Sequence, residues 1–420
     1  MKNKKLLFLG AIGGMSYSVQ EAKRMGIETI VLDYYADSQA KEYADKSYDV
    51  STTDFETIYE LVEKEQVDGV FTGFSDVNLR SMDKVCEKFG FPCYAGKEQI
   101  AYTQDKNLFK DLCNRNDVPT PQSYSVDVLD AIVFPVIIKP ADAYAAKGIT
   151  ICREKEKLQE CIEYAKSFSQ NGGVTIEDYI EGDEVMMHYV MMNGEFRITS
   201  AYERKIAEPF DASGKDIAPV LIFNNDEFQR MVLPHEENLG KMYRSIGMSN
   251  AVGFLQGKIR DGKVYFFEMA LRFGGNVSEL FNKHFNGVDL IAEFMKYSLT
   301  GEMESDLINK LTPAWDGFGC NVSLFMKPGK VTAMEGEDFL HSCEEILDIQ
   351  RYGSIGDEIK EQMIGTYKAI AYRLVCATDT PAGLEALVKR MQGKIRVLNE
   401  RSEDLIDWEL VLKNLAEVSV

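Results

Sequence analysis

The sequence predicts a mixed chain, α/β at its start and α+β beyond, and three observations carry that reading. Residues 1 to about 95 alternate apolar strands with helical stretches, the signature of a doubly wound parallel sheet. Further on, Asn193-Gly194 and Asp261-Gly262 sit between apolar runs, where such dipeptides are strong hairpin signals. A length of 420 residues matches about two or three domains.

The elements follow in order. Residues 6–10 (LLFLG) form an apolar strand, 18–25 a helix, 28–33 a second strand, 55–65 a second helix and 68–73 a further strand. In such sheets ligands lie beyond the carboxyl ends of the strands. Those ends carry Gly13-Gly14, Asp33 and the run Ser75-Asp76-Val77-Asn78. A helix over 103–121 closes in a proline-bearing loop, and FPVIIKP (134–140) is a buried strand ending in a lysine. The small-residue loop ADAYAAKG (141–148) returns into a strand, and 174–197 supplies a strand, a connection and a hairpin. A helical stretch covers 226–246, and from about 300 the pattern is β-rich with mixed elements. The expected division is 1–100, 101–300 (with parts 101–180 and 181–300) and 301–420.

Composition excludes some classes. Hydrophobic residues make up 45% and charged ones 27%, ordinary for a soluble protein with several cores. A formal charge of −20 lacks the basic footprint of a nucleic-acid binder, though a few cleft lysines can still hold an anion. No apolar run approaches transmembrane length, so no membrane partner is expected. The start, MKNKKLLFLGAIGG, has a basic end and an apolar run but no clear cleavage site, so it reads as a first strand entering a glycine turn. The eight cysteines are scattered without a CxxC pair and read as buried small hydrophobes in a reducing cytoplasm.

Chemistry concentrates in 253–275, GFLQGKIRDGKVYFFEMALRFGG. The turn at Asp261-Gly262 brings Gln256 and Glu268 to one face, with Arg272 four residues on and Gly274-Gly275 after it. Two oxygen ligands beside a guanidinium suit Mg²⁺ bridged to phosphates and a neighbouring anion. Polar residues on hairpins are also commonly just solvated. Lys139, ending an apolar strand, is costly to bury unless its ammonium meets an anion, although strand-end lysines often snorkel to water. Lys147-Gly148 follow in the small-residue loop, and IEDYIEGDE supplies carboxylates about forty residues on.

The order Asp105-Lys106, FPVIIKP, loop, IEDYIEGDE and FLQ…FFEMALR resembles the ATP-grasp superfamily over most of the chain. The twelve-residue gap from Gln256 to Glu268 equals the family's usual gap between metal-binding acidic residues. The resemblance implies a parallel-sheet domain preceding an ATP-grasp fold with a C-terminal α+β extension. It implies ATP with Mg²⁺ (or Mn²⁺) as cofactors, carboxylate and amine substrates, and a possible homodimer. By resemblance, Lys106, Lys139, Lys147 and Gly148 would meet phosphates, and residues 141–148 would form a lid. Glu177 would accept from the adenine amine, the backbone of Tyr179 and Ile180 would read the adenine edge, and Glu184 would hold the ribose. Gln256 and Glu268 would hold the metal. Arg272 would face the transferred phosphate or the carboxylate. Gly13, Gly14, Ser75, Asp76, Asn78, Gly274 and Gly275 lie where a second substrate would approach.

The sequence departs from the family at Gln256, usually glutamate, and at Ala270, often asparagine; Asn276 is a candidate to compensate. The lid also lacks the usual glycines. The expected activity is therefore ATP-dependent ligation of a carboxylate to an amine through an acyl phosphate, catalysed by Arg272, Lys139 and Glu268. The alternative is a nucleotide-responsive binding module with weakened catalysis. A nicotinamide oxidoreductase is disfavoured because Gly10-x-x-Gly13-Gly14 is not the dinucleotide fingerprint.

Overall fold

The computed structural model describes residues 3–125, 131–141, 148–204, 217–223 and 226–418. At the start, four parallel strands order as Lys46–Tyr48, Glu28–Leu32, Lys5–Leu9 and Gly69–Phe71. Helices Met15–Arg24, Gln39–Tyr43 and Phe55–Glu65 connect them, and Asp76–Phe89 follows the last strand. The two inner strands bury nearly every side chain, as expected when helices cover a parallel sheet. Lys46–Tyr48 escaped the sequence reading because its side chains face outward and carry no apolar pattern.

Two four-stranded antiparallel sheets follow. One orders Ser123–Tyr124, Val174–Asp178, Val136–Pro140 and Thr150–Cys152. The other orders Glu195–Arg204, Glu184–Met192, Ala251–Arg260 and Lys263–Ala270. The segment leading into Ser123–Tyr124 reaches the second sheet where the Phe266 N–H donates to the Pro119 carbonyl (2.8 Å). Both predicted hairpins are present. Asn193 and Gly194 have φ of 51° and 87°, Asp261 and Gly262 53° and 70°, the left-handed pair that a tight hairpin turn needs. The helix expected over 103–121 is Lys106–Arg115, opened by Asp105, whose carboxylate caps the N–H groups of Asn107 and Leu108.

A third sheet orders Val220–Ile222, Phe318–Phe325, Ile370–Thr378 and Ile346–Arg351. Its first strand comes from the middle of the chain, so the expected limit near 300 does not separate this sheet from what precedes it. Among the described residues no helix is long and apolar enough to cross a membrane.

Candidate nucleotide and substrate site

Lys139 ends its strand 9% exposed, its ammonium 2.8 Å from Glu177 Oε2. The other Glu177 oxygen lies 2.7 Å from the ammonium of Lys110, which also donates to the Ser123 hydroxyl at 2.9 Å. Burial opposes ionisation of Glu177, but the charges and hydrogen bonds of the two lysines prevail and hold it down to about 2. Lys110 is itself drawn below its ordinary value, chiefly by burial. Lys106, one helical turn before Lys110, is lowered by burial and then by Lys139, while Glu268 and Glu177 pull it upward. Three ammonium groups thus gather around one buried carboxylate. Such an excess of buried cation in a chain of charge −20 calls for an anion.

Glu177 therefore differs from the expectation. Both its oxygens neutralise lysines, so it acts as their counter-ion, not as a free acceptor for an adenine amine. The Tyr179 N–H is likewise taken, donating to the Pro135 carbonyl at 3.0 Å, which leaves the carbonyls of Tyr179 and Ile180 on that edge. Glu184 opens the next strand, half-buried, opposite Lys258 and Arg204. Gly148 has φ of 72°, and an added Cβ would meet Phe168 at 2.6 Å. Lys147 and loop residues 142–147 lie outside the described residues. Lys110 was missed because it hides on the buried face of its helix; its signal was the four-residue spacing from Lys106.

Gln256 and Glu268 are direct cross-strand partners, so their side chains share a face. The register then slips, pairing Gly257 with Phe266 and leaving Phe267 as the extra residue of a bulge. The Lys139 ammonium lies 5.8 Å from the Phe267 ring, which places the hairpin beside the lysine cluster. Glu268 is exposed and Gln256 half-buried. Among the described residues no three His, Cys, Asp or Glu side chains cluster. One carboxylate and one amide oxygen fit a Mg²⁺ that takes its remaining ligands from phosphates and water. Asn276 does not complete this pair: it is 6% exposed and its Oδ1 is turned toward Gly274.

Arg272 does not stand free. Its Nε is 2.9 Å from Asp76 Oδ1, too far off line for a hydrogen bond, while Nη1 donates to the Phe273 carbonyl at 3.0 Å. The guanidinium lies 5.1 Å from the Phe254 ring centre. Next comes a strained turn in which buried, β-branched Val277 holds φ of 52°, a left-handed conformation of the kind that clusters at functional sites. An added Cβ on Gly14 would meet Phe74 at 2.5 Å and Val277 at 2.8 Å, so the glycine loop packs directly on this turn. Gly13 is left-handed at φ of 62°, and Gly275 faces open space.

Two other expected substrate residues are committed elsewhere. Asn78 accepts from the Thr52 hydroxyl (2.7 Å) and donates to the Leu9 carbonyl (3.1 Å), pinning the end of the first strand. Ser75 caps the following helix. Asp33 accepts from the N–H groups of Ala11 and Tyr35, which ties the end of its strand to the glycine loop.

The third sheet contributes a residue that the sequence reading passed over. Arg373 is 3% exposed, donates to the Ser323 hydroxyl at 3.2 Å, and lies against the rings of Tyr367 and Tyr352 at 5.0 and 5.8 Å. It has no carboxylate partner among the described residues. Its signal was the one used for Lys139, a cation inside an otherwise apolar strand. On the same sheet Asn321 donates to the Asn276 carbonyl at 2.8 Å, joining this face to the turn after Arg272.

Two antiparallel sheets, buried lysines on one of them and an oxygen-bearing hairpin on the other make up the arrangement that the resemblance to the ATP-grasp superfamily implied. Residues 105–305, just under half of the chain, match the family described as carbamoyl-phosphate synthase L chain, ATP binding domain. A formate-dependent phosphoribosylglycinamide formyltransferase from Wolinella succinogenes is 24% identical over 64% of this chain and 70% of its own. The enzyme of the same name from Bacillus subtilis is 26% identical over 46% of this chain, which spans only 53% of it. Among solved structures, phosphoribosylglycinamide synthetase from Anaerococcus prevotii superimposes with a TM-score of 0.78 at 18% identity, covering 94% of this chain and all of that one. At that identity the likeness speaks for the fold.

Proposed function

We propose that the protein is an ATP-dependent ligase that activates a small carboxylate as an acyl phosphate, with release of ADP, for attack by an amine. The observation that carries this reading is Lys110 and Lys139 sharing the one carboxylate of Glu177, with Lys106 near enough to feel Lys139, Glu268 and Glu177, beside the Gln256–Glu268 pair. An anion entering there repays the burial of cations, and Lys106 and Lys139 meet its phosphates. Glu268 and Gln256 hold Mg²⁺, which when bound offsets charge on the phosphates; Mn²⁺ suits the same oxygens. Tyr179, Ile180 and Glu184 line its adenosine.

Phosphoryl transfer leaves little covalent work to the protein; positioning and charge neutralisation dominate. A carboxylate oxygen attacks the γ-phosphorus, the bond to the β-phosphate oxygen breaks, and ADP departs. The amine nitrogen then attacks the acyl carbon, phosphate leaves, and nitrogen loses a proton. Arg272 steadies the carboxylate or the departing phosphoryl oxygens through its planar fork. Gly13, Gly14 and Asp76 of the first 100 residues, with Gly274 and Gly275, frame the second substrate. In this reading 1–100 precedes the ATP-grasp part at 101–300, and 301–420 covers the cleft with Arg373. Eight free thiols support a cytoplasmic setting.

Pooled carboxylates and amines, assayed for ADP release and followed by mass analysis, test the proposal. Hydroxylamine supplied with the true carboxylate gives a hydroxamate. Release of AMP and pyrophosphate overturns it.

A further inference from the structure

Away from the cleft, a cavity of 440 Å³ opens where three parts of the chain meet, a volume suited to a small molecule. Its walls come from helices Met15–Arg24 and Gln39–Tyr43, helix Glu279–Asn286 and the strand Ile346–Arg351 at the edge of the third sheet. No residue assigned above to nucleotide, metal or second substrate lines it. Much of the wall is apolar. Leu280 and Leu340 are buried in it, while Ile346, Leu347 and Ile349 are left only half-buried, as side chains bordering a cavity are.

The fixed charges of the wall are matched, with the exception of Asp348. Lys283 meets Asp289 at 2.7 Å and Glu21 at 3.2 Å, and Arg24 meets Glu21 at 2.8 Å. Two cations thus face two carboxylates. Asp348 has no cation partner among the described residues; it accepts from the Gln350 amide at 3.3 Å and from the Ile349 N–H. That amide is neutral and is itself engaged, its oxygen accepting from the Tyr352 hydroxyl at 3.2 Å. Burial lifts the Asp348 carboxyl to about 6, so its charged form gains from a cation brought beside it.

We propose that this cavity binds a small organic ammonium ion with an apolar body, the ammonium on Asp348 and the body against Leu280, Leu347 and Ile349. An anion would meet the Asp348 carboxylate while Lys283 and Arg24 are already engaged. A wholly apolar ligand would cover that carboxylate without pairing it, which is costly. Binding here is independent of the ligase reading.

Calorimetry on the whole protein at pH 8, where Asp348 and alkylamines both carry charge, compares matched probes. One trio is hexylammonium, hexanol and hexanoate; the other is 2-phenylethylammonium, 2-phenylethanol and 3-phenylpropionate. At least one ammonium binds roughly ten- to hundredfold more tightly than its neutral and anionic partners, the scale of one charge-assisted contact. Asp348→Asn brings it to the level of the alcohol, and Leu347→Trp, which fills the cavity, abolishes binding. Both variants are checked for folding by circular dichroism, and both keep the wild-type affinity for a non-hydrolysable ATP analogue. Equal affinity within both trios, tighter binding of a carboxylate, or no binding of either ammonium overturns the proposal. Ammonium binding that survives both substitutions places the cation elsewhere and overturns it too.

Discussion

A lysine at the end of an apolar strand either reaches water or finds an anion, and Lys139 has found Glu177. That pairing sets what its removal does. Lys139→Ala leaves Glu177 still balanced by Lys110, so the protein folds, while ATP affinity measured by calorimetry falls about ten- to hundredfold, the scale of one charge-assisted contact. Glu177→Ala strands two buried ammonium groups and costs about 3–5 kcal/mol in denaturant unfolding. The carboxylate also shapes acid stability. Its folded value of about 2 lies below the ordinary 4.5, so its contribution is complete above 4.5 and fades as pH falls toward 2. A shift of that size corresponds to roughly 3 kcal/mol, offset in part because burial works against the charged form of Lys110. Urea midpoints recorded from pH 6 to pH 2 show the loss in the wild type. In Glu177→Gln the slope across that window flattens.

At the scale of elements, the Ala251–Arg260 and Lys263–Ala270 hairpin carries Gln256 and Glu268, the pair proposed to hold Mg²⁺, and its register sets them side by side. Glu268→Gln abolishes Mg²⁺-dependent ADP release far more completely than Gln256→Ala, because hard cations favour charged oxygen. Gln256→Glu keeps activity and lowers the Mg²⁺ concentration at half-maximal rate. A Mg²⁺ titration in which Glu268→Gln retains full rate would place the metal elsewhere. This hairpin was legible because Asp-Gly between apolar runs has few other uses. The bulge at Phe267 was not, since nothing in VYFFEMA marks which residue loses its partner. The same limit hid the role of Glu177. Its lysines lie 38 and 67 residues away in sequence, and pairing over such distances leaves no local pattern. Arg373 and Lys110 were missed because a single cation among apolar neighbours reads as noise until its burial is known. Val220–Ile222 was too short to assign to a sheet built almost wholly from residues beyond 317.

Over the whole molecule, the turn following the Gln256–Glu268 hairpin is where the N-terminal part, the hairpin's own sheet and the sheet carrying Arg373 meet. Tyr94 donates to the Leu271 carbonyl at 3.0 Å, Arg272 pairs with Asp76, Val277 abuts Gly14, and Asn321 reaches the Asn276 carbonyl. Arg351 of the third sheet also pairs with Glu42 of the N-terminal part at 2.9 Å. In the proposed reaction Arg272 has two calls on its guanidinium, its present partner Asp76 and the incoming carboxylate. Releasing Asp76 costs little, since that carboxylate is 46% exposed and such pairs contribute about 0–1 kcal/mol. Asp76→Ala should therefore change the KM for the carboxylate modestly. Arg272→Lys, which keeps the charge but loses the fork, should keep near-normal ATP affinity and lose most substrate-stimulated ADP release. The double variant decides between the two roles. If Arg272 acts on substrate, Asp76→Ala adds nothing to the loss already caused by Arg272→Lys. If Arg272 serves only to clamp the N-terminal part against the turn, the two single variants weaken turnover equally and thermal stability falls with both.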